Sequence, residues 1–485
     1  MLQFNNTYHK LGDKFYQTAM PNKVSNPALL FWNDMLANDL RLDTAFCRDK
    51  SKLALYFSGN KIISGSVPVA LAYSGHQFGQ FNPYMGDGRA HLLGEVCDKD
   101  NIQRDIQLKG SGQTPYSRRG DGLCAIGPAI REYIMSEAMY ALGVPTSRCL
   151  AVVSTGETVY RESEKPGAVV TRIAASHIRV GTFQHFSARG DVESLTALTE
   201  YTINRHYPTI DINTDGYILE LIKSVGAKQI ELIVQWMRVG FIHGVMNTDN
   251  CAISGETIDF GPCAMLGVYH PGTVYSSIDK NGRYAFGNQP NIAQWNMARF
   301  AESLIPLIDE DAEKAVELVK PIILQFAEDF NNAYYGMLAS KLGVHSLALI
   351  DKSFIKEILD IMQNQELDYT LTFVQLAQSL NDNEQAEQLK AALGKWYNNW
   401  LTLLQEANID HNTAEELMKV SNPVVIPRNH HVEAILQECE TSGDLSSADR
   451  FLKVLRSPYQ QLPHTNEFQD LPKDGDVNYH TFCGT

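Results

Sequence analysis

Apolar and polar residues follow two different spacings along this chain. In short runs upstream of residue 175, such as residues 105–109, polar and apolar positions alternate, which is typical of half-buried strands. Downstream of residue 193, apolar positions recur every three or four residues, as they do on the buried face of a helix. The pattern therefore predicts an α+β chain, with a small antiparallel sheet in its N-terminal part and a large, mostly helical C-terminal part.

Turn and capping residues set the boundaries of the individual elements. Strands are expected at residues 90–96, 105–109, 150–154, 157–161 and 168–173. A helix is predicted over residues 128–142, because Pro128 suits a first helical turn and Gly143 suits a helix end. Further helices are predicted at residues 193–206, 217–225, 230–245, 291–308, 311–341, 347–363, 368–380, 384–407 and 412–420.

Composition and charge limit the classes of protein to which the chain can belong. With 485 residues, of which 44% are hydrophobic, it can bury one large core or two to three smaller ones. A net charge of −15 argues against broad electrostatic binding to nucleic acid or to anionic membranes. The sequence has no leader-like start, no long apolar run and no metal-type cysteine spacing, so we expect a cytoplasmic monomer.

Residues 240–262 combine a helix end, a polar loop and the sequence Asp-Phe-Gly, an order that resembles the catalytic and metal-binding segment of protein kinases. A histidine and Asn250 keep the kinase spacing, and Asp259 begins the Asp-Phe-Gly sequence. The position of the kinase base is occupied by Val245, which cannot accept a proton. The nearest spare carboxylate belongs to Asp249.

Two upstream residues resemble the phosphate-contacting lysine of a kinase and its acidic partner. Lys109 ends a predicted strand, and Glu132 follows 23 residues later in the predicted helix 128–142. Order and spacing favour an ion pair between these two residues, with Glu137 as the competing partner. Taken singly, a strand-end lysine is more often a solvated charge, and an acid early in a helix more often matches the helix dipole.

Two glycine-flanked loops and two arginines have the chemistry to hold phosphate groups. The loops are residues 86–89 and 117–122, whose glycines allow backbone N–H groups to approach a ligand closely. Arg172 closes the last predicted strand and Arg179 follows it, and a planar guanidinium suits bidentate contact with phosphate oxygens. Each signal is weak alone, because surface turns and ordinary ion pairs give the same pattern.

Five stretches of sequence together resemble the selenoprotein O (SelO) family of protein adenylyltransferases, over a region from about residue 50 to the C-terminus. They are YSGHQFGQFNPYMGDGRAHLLGE, QLKGSGQTPYSRRGDG, AIREYIMSEAMYALGVPT, HGVMNTDN and IDFGP. The resemblance implies a protein-kinase-like bilobal fold that binds ATP in a flipped orientation together with Mg²⁺ or Mn²⁺. It implies transfer of AMP, or of UMP from UTP, to Ser, Thr or Tyr hydroxyls of protein substrates.

The resemblance also assigns roles to individual residues. Asp249 is implied as the proton acceptor, and Glu132 as the residue that orients Lys109. Asn250 and Asp259 are implied as ligands of the metal ion. The residues implied to contact the nucleotide are Gly86, Gly88, Arg89, Lys109, Asp121, Gly122, Arg172, Arg179 and Asp259. The alternative for Asp249 is a structural carboxylate that holds its own loop.

A redox-sensitive disulfide is a further implication of the resemblance. It would join Cys263, two residues after the Asp-Phe-Gly sequence, to Cys483 near the C-terminus. The alternative is a pair of unrelated thiols, because sequence does not reveal the geometry that a disulfide needs.

We expect four segments in the chain. They are an N-terminal cap at 1–60, a kinase-like β-rich lobe with the nucleotide loop at 61–190, a helical lobe with the catalytic and metal segment at 191–310, and a helical extension with the tail at 311–485.

Two other functions remain open from the sequence. A conventional kinase would transfer the γ-phosphoryl group with Asp249 as a displaced base, and a pseudokinase scaffold would bind nucleotide without catalysis. Transfer of AMP explains Val245 best, because reaction at the α-phosphorus moves the reacting centre along the cleft. A base placed for γ-transfer would then be misplaced.

Overall fold

The computed structural model describes residues 2–476 and 479–482. The strands are β1 Tyr16–Thr18, β2 Ala28–Trp32, β3 Val69–Leu71, β4 Gly75–Gln77, β5 Gln80–Asn82, β6 Ala90–Cys97, β7 Gln103–Lys109, β8 Arg148–Tyr160, β9 Glu164–Ala174, β10 Phe241–Ile242 and β11 Ala264–Met265. The helices up to the catalytic segment are α1 Asp34–Asp39, α2 Thr44–Arg48, α3 Lys50–Phe57, α4 Ile126–Ala141, α5 Val180–Ser187, α6 Val192–His206 and α7 Tyr217–Val239. The later helices are α8 Gln289–Ile308, α9 Ala312–Lys341, α10 Lys352–Asn364, α11 Tyr369–Ser379, α12 Asn383–Leu393, α13 Lys395–Glu406, α14 His411–Ser421, α15 Asn429–Ser442 and α16 Ser446–Leu455.

A seven-stranded antiparallel sheet organises the N-terminal part, in the order β1-β3-β6-β7-β9-β8-β2. The first 60 residues supply both edge strands. At the centre of the sheet Gln107 pairs with Arg172, and Lys109 pairs with Val170. Because side chains alternate along a strand, Gln107, Lys109 and Arg172 share one face of the sheet. The predicted α+β class with an antiparallel N-terminal sheet is therefore confirmed.

Helices cover both faces of this sheet. Helices α1 to α3 pack on one face, where Phe57 and Leu53 meet Ile106 and Leu108 in one apolar cluster. Helix α4 packs on the opposite face, the face that carries Lys109 and Arg172. Burial of its apolar stripe fixes the depth of α4 and so places Glu132 beneath the sheet.

The C-terminal part is largely helical, as predicted, and shares a continuous core with α4. Helices α7, α8 and α9 pack against one another below the sheet. Helices α10 to α16 continue that core, where Trp396 and Trp400 are fully buried. Among the described residues, no helix has the length and apolar character to cross a membrane.

The predicted boundaries fail at glycines and at continuous buried stripes. Strand β8 is one strand where two were predicted, because a bulge between Ser154 and Thr158 accommodates Gly156 in the left-handed region, at φ 75°. Helix α7 is one helix where two were predicted, since Val225 and Gln229 keep its buried stripe continuous. It ends at Gly240, before the predicted end at 245.

A glycine also divides the helix predicted at 384–407. The chain forms α12 and α13 instead, separated at Gly394, whose φ is 60°. The local prediction missed this break because the apolar spacing on either side is in phase.

Candidate active site

A cavity of about 570 Å³ lies between the sheet and the segment that follows α7. The predicted site residues that line it are Gly88, Arg89, Lys109, Asp121, Gly122, Arg172, Arg179, Asp249, Asn250 and Asp259. Of the remaining predicted residues, Gly86 adjoins the lining and Glu132 lies behind Lys109. The structure therefore brings to one cavity residues that are up to 171 positions apart in the chain, from Gly88 to Asp259.

A buried network of two cations and two carboxylates forms the inner wall of the cavity. Lys109 Nζ lies 2.8 Å from Glu132 Oε2 and also donates to Asp259 Oδ1. Arg172 donates to the same two residues, through Nε to Glu132 and through Nη2 to Asp259 at 2.9 Å. Two cations thus converge on Asp259 from the sheet.

The competing partner of Lys109 is engaged elsewhere. Glu137 accepts two hydrogen bonds from Arg148, at 2.9 and 2.7 Å. Helical spacing decides this outcome, because Glu132 and Glu137 lie five positions apart and so point in different directions around α4.

The network fixes the charge of its carboxylates. Burial alone would raise the pKa of Asp259, but the cations of Lys109 and Arg172 outweigh burial and hold that pKa well below its usual range. Burial is likewise outweighed at Glu132, whose pKa is lowered by the same two cations. Asp259 also has a left-handed backbone, at φ 66°, which is uncommon for a residue other than glycine. An ionised carboxylate is thereby held at the cavity wall.

The loop before the Asp-Phe-Gly sequence is held by backbone-directed hydrogen bonds. His243 Nε2 bonds the carbonyl of Ile258 at 2.9 Å, and its Nδ1 accepts from the N–H of Val245 at 3.3 Å. Asn250 Nδ2 donates to the carbonyl of Val245 at 3.0 Å. Val245, at the position of the kinase base, therefore holds the loop through its backbone and presents an apolar side chain to the cavity.

Asp249 is buried in this loop with an unsatisfied oxygen. Its Oδ1 has no hydrogen-bond partner within the part of the chain that the structure describes, and Oδ2 lies 3.5 Å from Gln77 Nε2. Burial raises the pKa of Asp249 to about 6, although Arg179 acts in the opposite direction. A carboxylate with a pKa close to the working pH suits general-base chemistry.

Arg179 braces the same loop. Its Nη1 donates to the carbonyl of Asp249 at 3.0 Å, and its guanidinium lies 4.4 Å from the centre of the Tyr73 ring. Asp87 lies 3.7 Å from Nη2, a buried carboxylate whose pKa is raised by its burial. Arg179 therefore lines the cavity while it fixes the backbone at Asp249.

The two glycine-flanked loops approach each other over the cavity. A Cβ at Gly86, whose φ is 146°, would lie 2.3 Å from the Tyr116 ring, and one at Gly122 would lie 2.2 Å from the backbone of Gly112. Asp121 is held by Arg161 through contacts of 2.7 and 3.1 Å. Glycine is required at both positions for packing as well as for the backbone conformation.

Comparison with known proteins decides the family. The model of the family described as "Protein adenylyltransferase SelO" matches residues 1–456. The chain belongs to the SelO family of protein adenylyltransferases. It is 49% identical to the protein nucleotidyltransferase YdiU of Teredinibacter turnerae over the whole of both chains, and 51% identical to that of Pseudoalteromonas translucida over 99% of each. It is also 46% identical to the YdiU protein of Agrobacterium fabrum over the whole of both chains.

Membership of the SelO family identifies the chain as a nucleotidyltransferase that uses ATP and acts on proteins. The family resemblance stated from the sequence is confirmed. The roles of individual site residues remain predictions.

Sequence reasoning missed part of this SelO-family site. The cavity is also lined by Tyr73, Gln77, Phe78, Asp87, Asn247 and Arg161. Gln77 and Phe78 belong to a hairpin of β4 and β5 that crosses the catalytic loop, where the N–H of Phe78 donates to Asn247 Oδ1 at 3.0 Å. The signal in the sequence was the glycine after Phe78, which is typical of a two-residue hairpin turn.

The thiol predicted to take part in a disulfide is buried. Burial raises the pKa of Cys263 to about 12, so the thiol is protonated and unreactive in this conformation. Cys483 lies outside the described residues. The described tail nonetheless reaches this region, because Thr481 Oγ1 donates to the carbonyl of Pro262 at 2.8 Å.

Proposed function

We propose that the chain transfers AMP from ATP to Ser, Thr or Tyr hydroxyls of proteins and releases pyrophosphate, with Asp249 as the proton acceptor. The observation that carries this proposal is the buried Oδ1 of Asp249, which has no hydrogen-bond partner among the described residues and lies in the same cavity as the Lys109–Asp259–Arg172 cluster. A base with a free oxygen then lies beside a group of cations that suits a polyphosphate.

The cations of the cavity would hold the phosphates. Lys109, Arg172, Arg89 and Arg179 line it, and each carries a full positive charge that a triphosphate complements. Gly88 would allow the backbone of its loop to approach the phosphate oxygens, since it has no side chain above the cavity. Glu132 would keep Lys109 extended along the sheet through their 2.8 Å contact.

The donor set at the cavity fits a hard divalent cation, Mg²⁺ or Mn²⁺. Asp259 offers an ionised carboxylate, and Asn250 Oδ1 accepts no hydrogen bond among the described residues because its amide nitrogen is turned to Val245. Because no cluster of three His, Cys, Asp or Glu side chains occurs among the described residues, phosphate oxygens and water would have to supply the other ligands of such an ion. Such an ion, when bound, offsets negative charge on the phosphate oxygens.

The transfer step would use the proton affinity of Asp249. Its free carboxylate oxygen would take the proton of the acceptor hydroxyl as that oxygen bonds to the α-phosphorus. The bond from the α-phosphorus to the bridging oxygen of the β-phosphate breaks, and pyrophosphate leaves with those electrons. Lys109 and Arg172 would stabilise the charge on the leaving group.

We also propose a kinase-like bilobal arrangement with the four segments 1–60, 61–190, 191–310 and 311–485. The pairing of Lys109 with Glu132, and the Asp-Phe-Gly sequence at the cavity wall, support it. The contribution of β1 and β2 to the sheet would make the first segment part of the β-rich lobe.

Labelled nucleotides test the proposed reaction. The protein is incubated with a mixed protein acceptor and Mg²⁺ or Mn²⁺, with ATP labelled at either the α- or the γ-phosphate. We expect protein-bound label from the α position alone, and none with Asp249→Ala. Label from the γ position alone would instead support a conventional kinase, and nucleotide binding without any label would support a scaffold.

The same assay tests the other nucleotide. α-Labelled UTP is compared with α-labelled ATP at equal concentration and with each metal. Protein-bound label from UTP would show transfer of UMP by this chain.

A further inference from the structure

Arg283 lies near the catalytic loop and has no acidic partner in the part of the chain that the structure describes. Its guanidinium forms no ion pair among the described residues, and its Nε is buried without a hydrogen-bond partner there. The carboxylate of Asp279, an acid on the same loop, accepts from the backbone N–H groups of Arg283 and Tyr284 and not from the guanidinium. A guanidinium without an ion pair keeps its N–H groups for an anionic ligand.

Aromatic side chains hold this arginine in place. Its Cζ lies 4.8 Å from the centre of the Trp295 ring and 5.7 Å from that of Tyr284. Gly79, at the tip of the β4–β5 hairpin, lies beside the guanidinium, since a Cβ there would be 3.7 Å from its Cζ. Such stacking leaves the N–H edge of a guanidinium available for an anion.

Arg283 lies close to the nucleotide cavity but outside its described lining. Arg283 is absent from the described lining of the nucleotide cavity, whereas Phe78 belongs to that lining and packs on Tyr284 at 5.2 Å. Tyr284 in turn donates to Asn247 Oδ1 at 2.7 Å, two residues before Asp249. Arg283 is therefore outside the wall that Phe78 forms, where a group bound to it would not be part of a nucleotide in the cavity.

The surface around Arg283 has the exposure that a docking site needs. Phe78 and Phe81 are 38% and 39% exposed, and Trp295 is half-buried. Phe78 also adopts a left-handed φ of 50°, which is rare for a bulky residue and holds its ring at the cavity edge. Arginine and tryptophan are two of the residue types that most often dominate protein interfaces.

We propose that Arg283, with Trp295 and the β4–β5 hairpin tip, forms a docking subsite for an acidic side chain of the acceptor protein, close to the hydroxyl that is modified. The subsite rests on the proposed function, because it positions that acceptor for Asp249. The carboxylate would bond the N–H groups of Arg283, and the rings of Phe78 and Phe81 would cover neighbouring apolar atoms.

Peptide pairs test this subsite. The probes are fluorescent peptides with a central Ser or Tyr and a single Glu scanned through the flanking positions, each matched by the same peptide with Gln. Binding is read by anisotropy, and transfer by label from α-labelled ATP. For at least one position we expect about tenfold tighter binding and faster transfer for the Glu peptide, the usual size of a charge-assisted contact.

Matched variants assign the preference to one arginine. Arg283→Gln should remove the preference, and Arg283→Lys should restore part of it. Arg299→Gln should keep it, because Arg299 stacks on the same Trp295 ring at 5.1 Å but is already paired with Glu302. The affinity for ATP, measured by calorimetry, should be the same in all variants.

The outcomes separate this subsite from the reaction itself. Equal or absent binding of both peptide sets, or a preference that persists in Arg283→Gln, would overturn the subsite, and so would a loss of ATP affinity in that variant. A Glu preference in binding, accompanied by label from the γ position only, would support the subsite and contradict transfer of AMP.

Discussion

At the scale of single residues, the two aspartates of the cavity have opposite electrostatic environments. Asp259 lies between two cations, and its pKa is held low, whereas Asp249 is buried without full hydrogen bonding, and its pKa is raised to about 6. A pair of carboxylates whose pKa values are moved apart is the usual mark of a division between charge binding and proton transfer. Substitution of the two aspartates should therefore change the stability of the protein in opposite directions.

Asp249→Asn should stabilise the protein while it abolishes transfer. In the folded protein the pKa of Asp249 is raised from its ordinary value of 3.8 to about 6. The ionised carboxylate therefore lowers the free energy of unfolding by its full amount above pH 6, and this destabilisation disappears as the pH falls towards 4. We expect a gain of roughly 2–3 kcal/mol at pH 8, with little gain at pH 4, in urea unfolding followed at both pH values. Asp259→Asn is the matched control and should lower stability at pH 8, since it leaves Lys109 and Arg172 without that partner.

The pH dependence of transfer should report the same carboxylate. Below its pKa of about 6, Asp249 is protonated and cannot accept the proton of the acceptor. We expect kcat/KM to fall about tenfold per pH unit below pH 6, at saturating metal. A profile that stays level down to pH 5 would remove Asp249 from the role of base.

The sequence predicted the members of the site better than their contacts. Lys109 and Glu132 lie on a strand and a helix whose periods can be read locally, and Asn250 and Asp259 are recognisable from their spacing in the kinase-like segment. The position of Gln77 and Phe78 over Asp249 was not predictable, since it depends on a hairpin that meets the catalytic loop 172 residues away in the chain. The engagement of Glu137 by Arg148 likewise requires knowledge of how α4 lies on the sheet.

At the scale of elements, glycines decide where the catalytic segment begins. Helix α7 ends at Gly240 with φ 78°, and β10 follows at once and pairs with β11 on the other side of the Asp-Phe-Gly sequence. The hydrophobic period alone extends the helix to residue 245. What ends it is a left-handed residue packed beneath Leu266 and Tyr369, a contact that only the fold brings together.

Gly240→Ala should therefore impair both stability and transfer. An alanine at φ 78° costs about 1 kcal/mol, and its Cβ would lie 3.3 Å from Leu266 and from Tyr369. We expect a total loss of about 2 kcal/mol in thermal unfolding, together with slower transfer because the segment to Asp249 shifts. Gly443→Ala is the control, because Gly443 has a φ of 71° at the end of α15 and open space around it. This substitution should lower stability only by the cost of the left-handed backbone and should leave the transfer rate unchanged.

At the scale of the whole molecule, the described tail adds contacts between α4, α15 and the segment that follows the Asp-Phe-Gly sequence. Tyr479 donates to Glu433 of α15 at 2.7 Å and accepts from Arg131 of α4 at 3.3 Å. Two positions further on, Thr481 exchanges backbone hydrogen bonds with the segment around Ser276. Because Arg131 adjoins Glu132, the tail is connected to the helix that orients Lys109.

Tyr479→Phe should loosen this connection without changing the cavity lining. Loss of the hydroxyl leaves Arg131 and Glu433 with their direct contact only, which should cost about 1 kcal/mol of stability. Because α4 would be held less firmly, we expect faster amide hydrogen exchange in α4 and a transfer rate lowered a few-fold at unchanged ATP affinity. Tyr160→Phe is the matched control, since Tyr160 is 69% exposed and its substitution should alter neither exchange nor transfer. Unchanged exchange in α4 of the Tyr479→Phe protein would show that the sheet and the helical core position Glu132 without the tail.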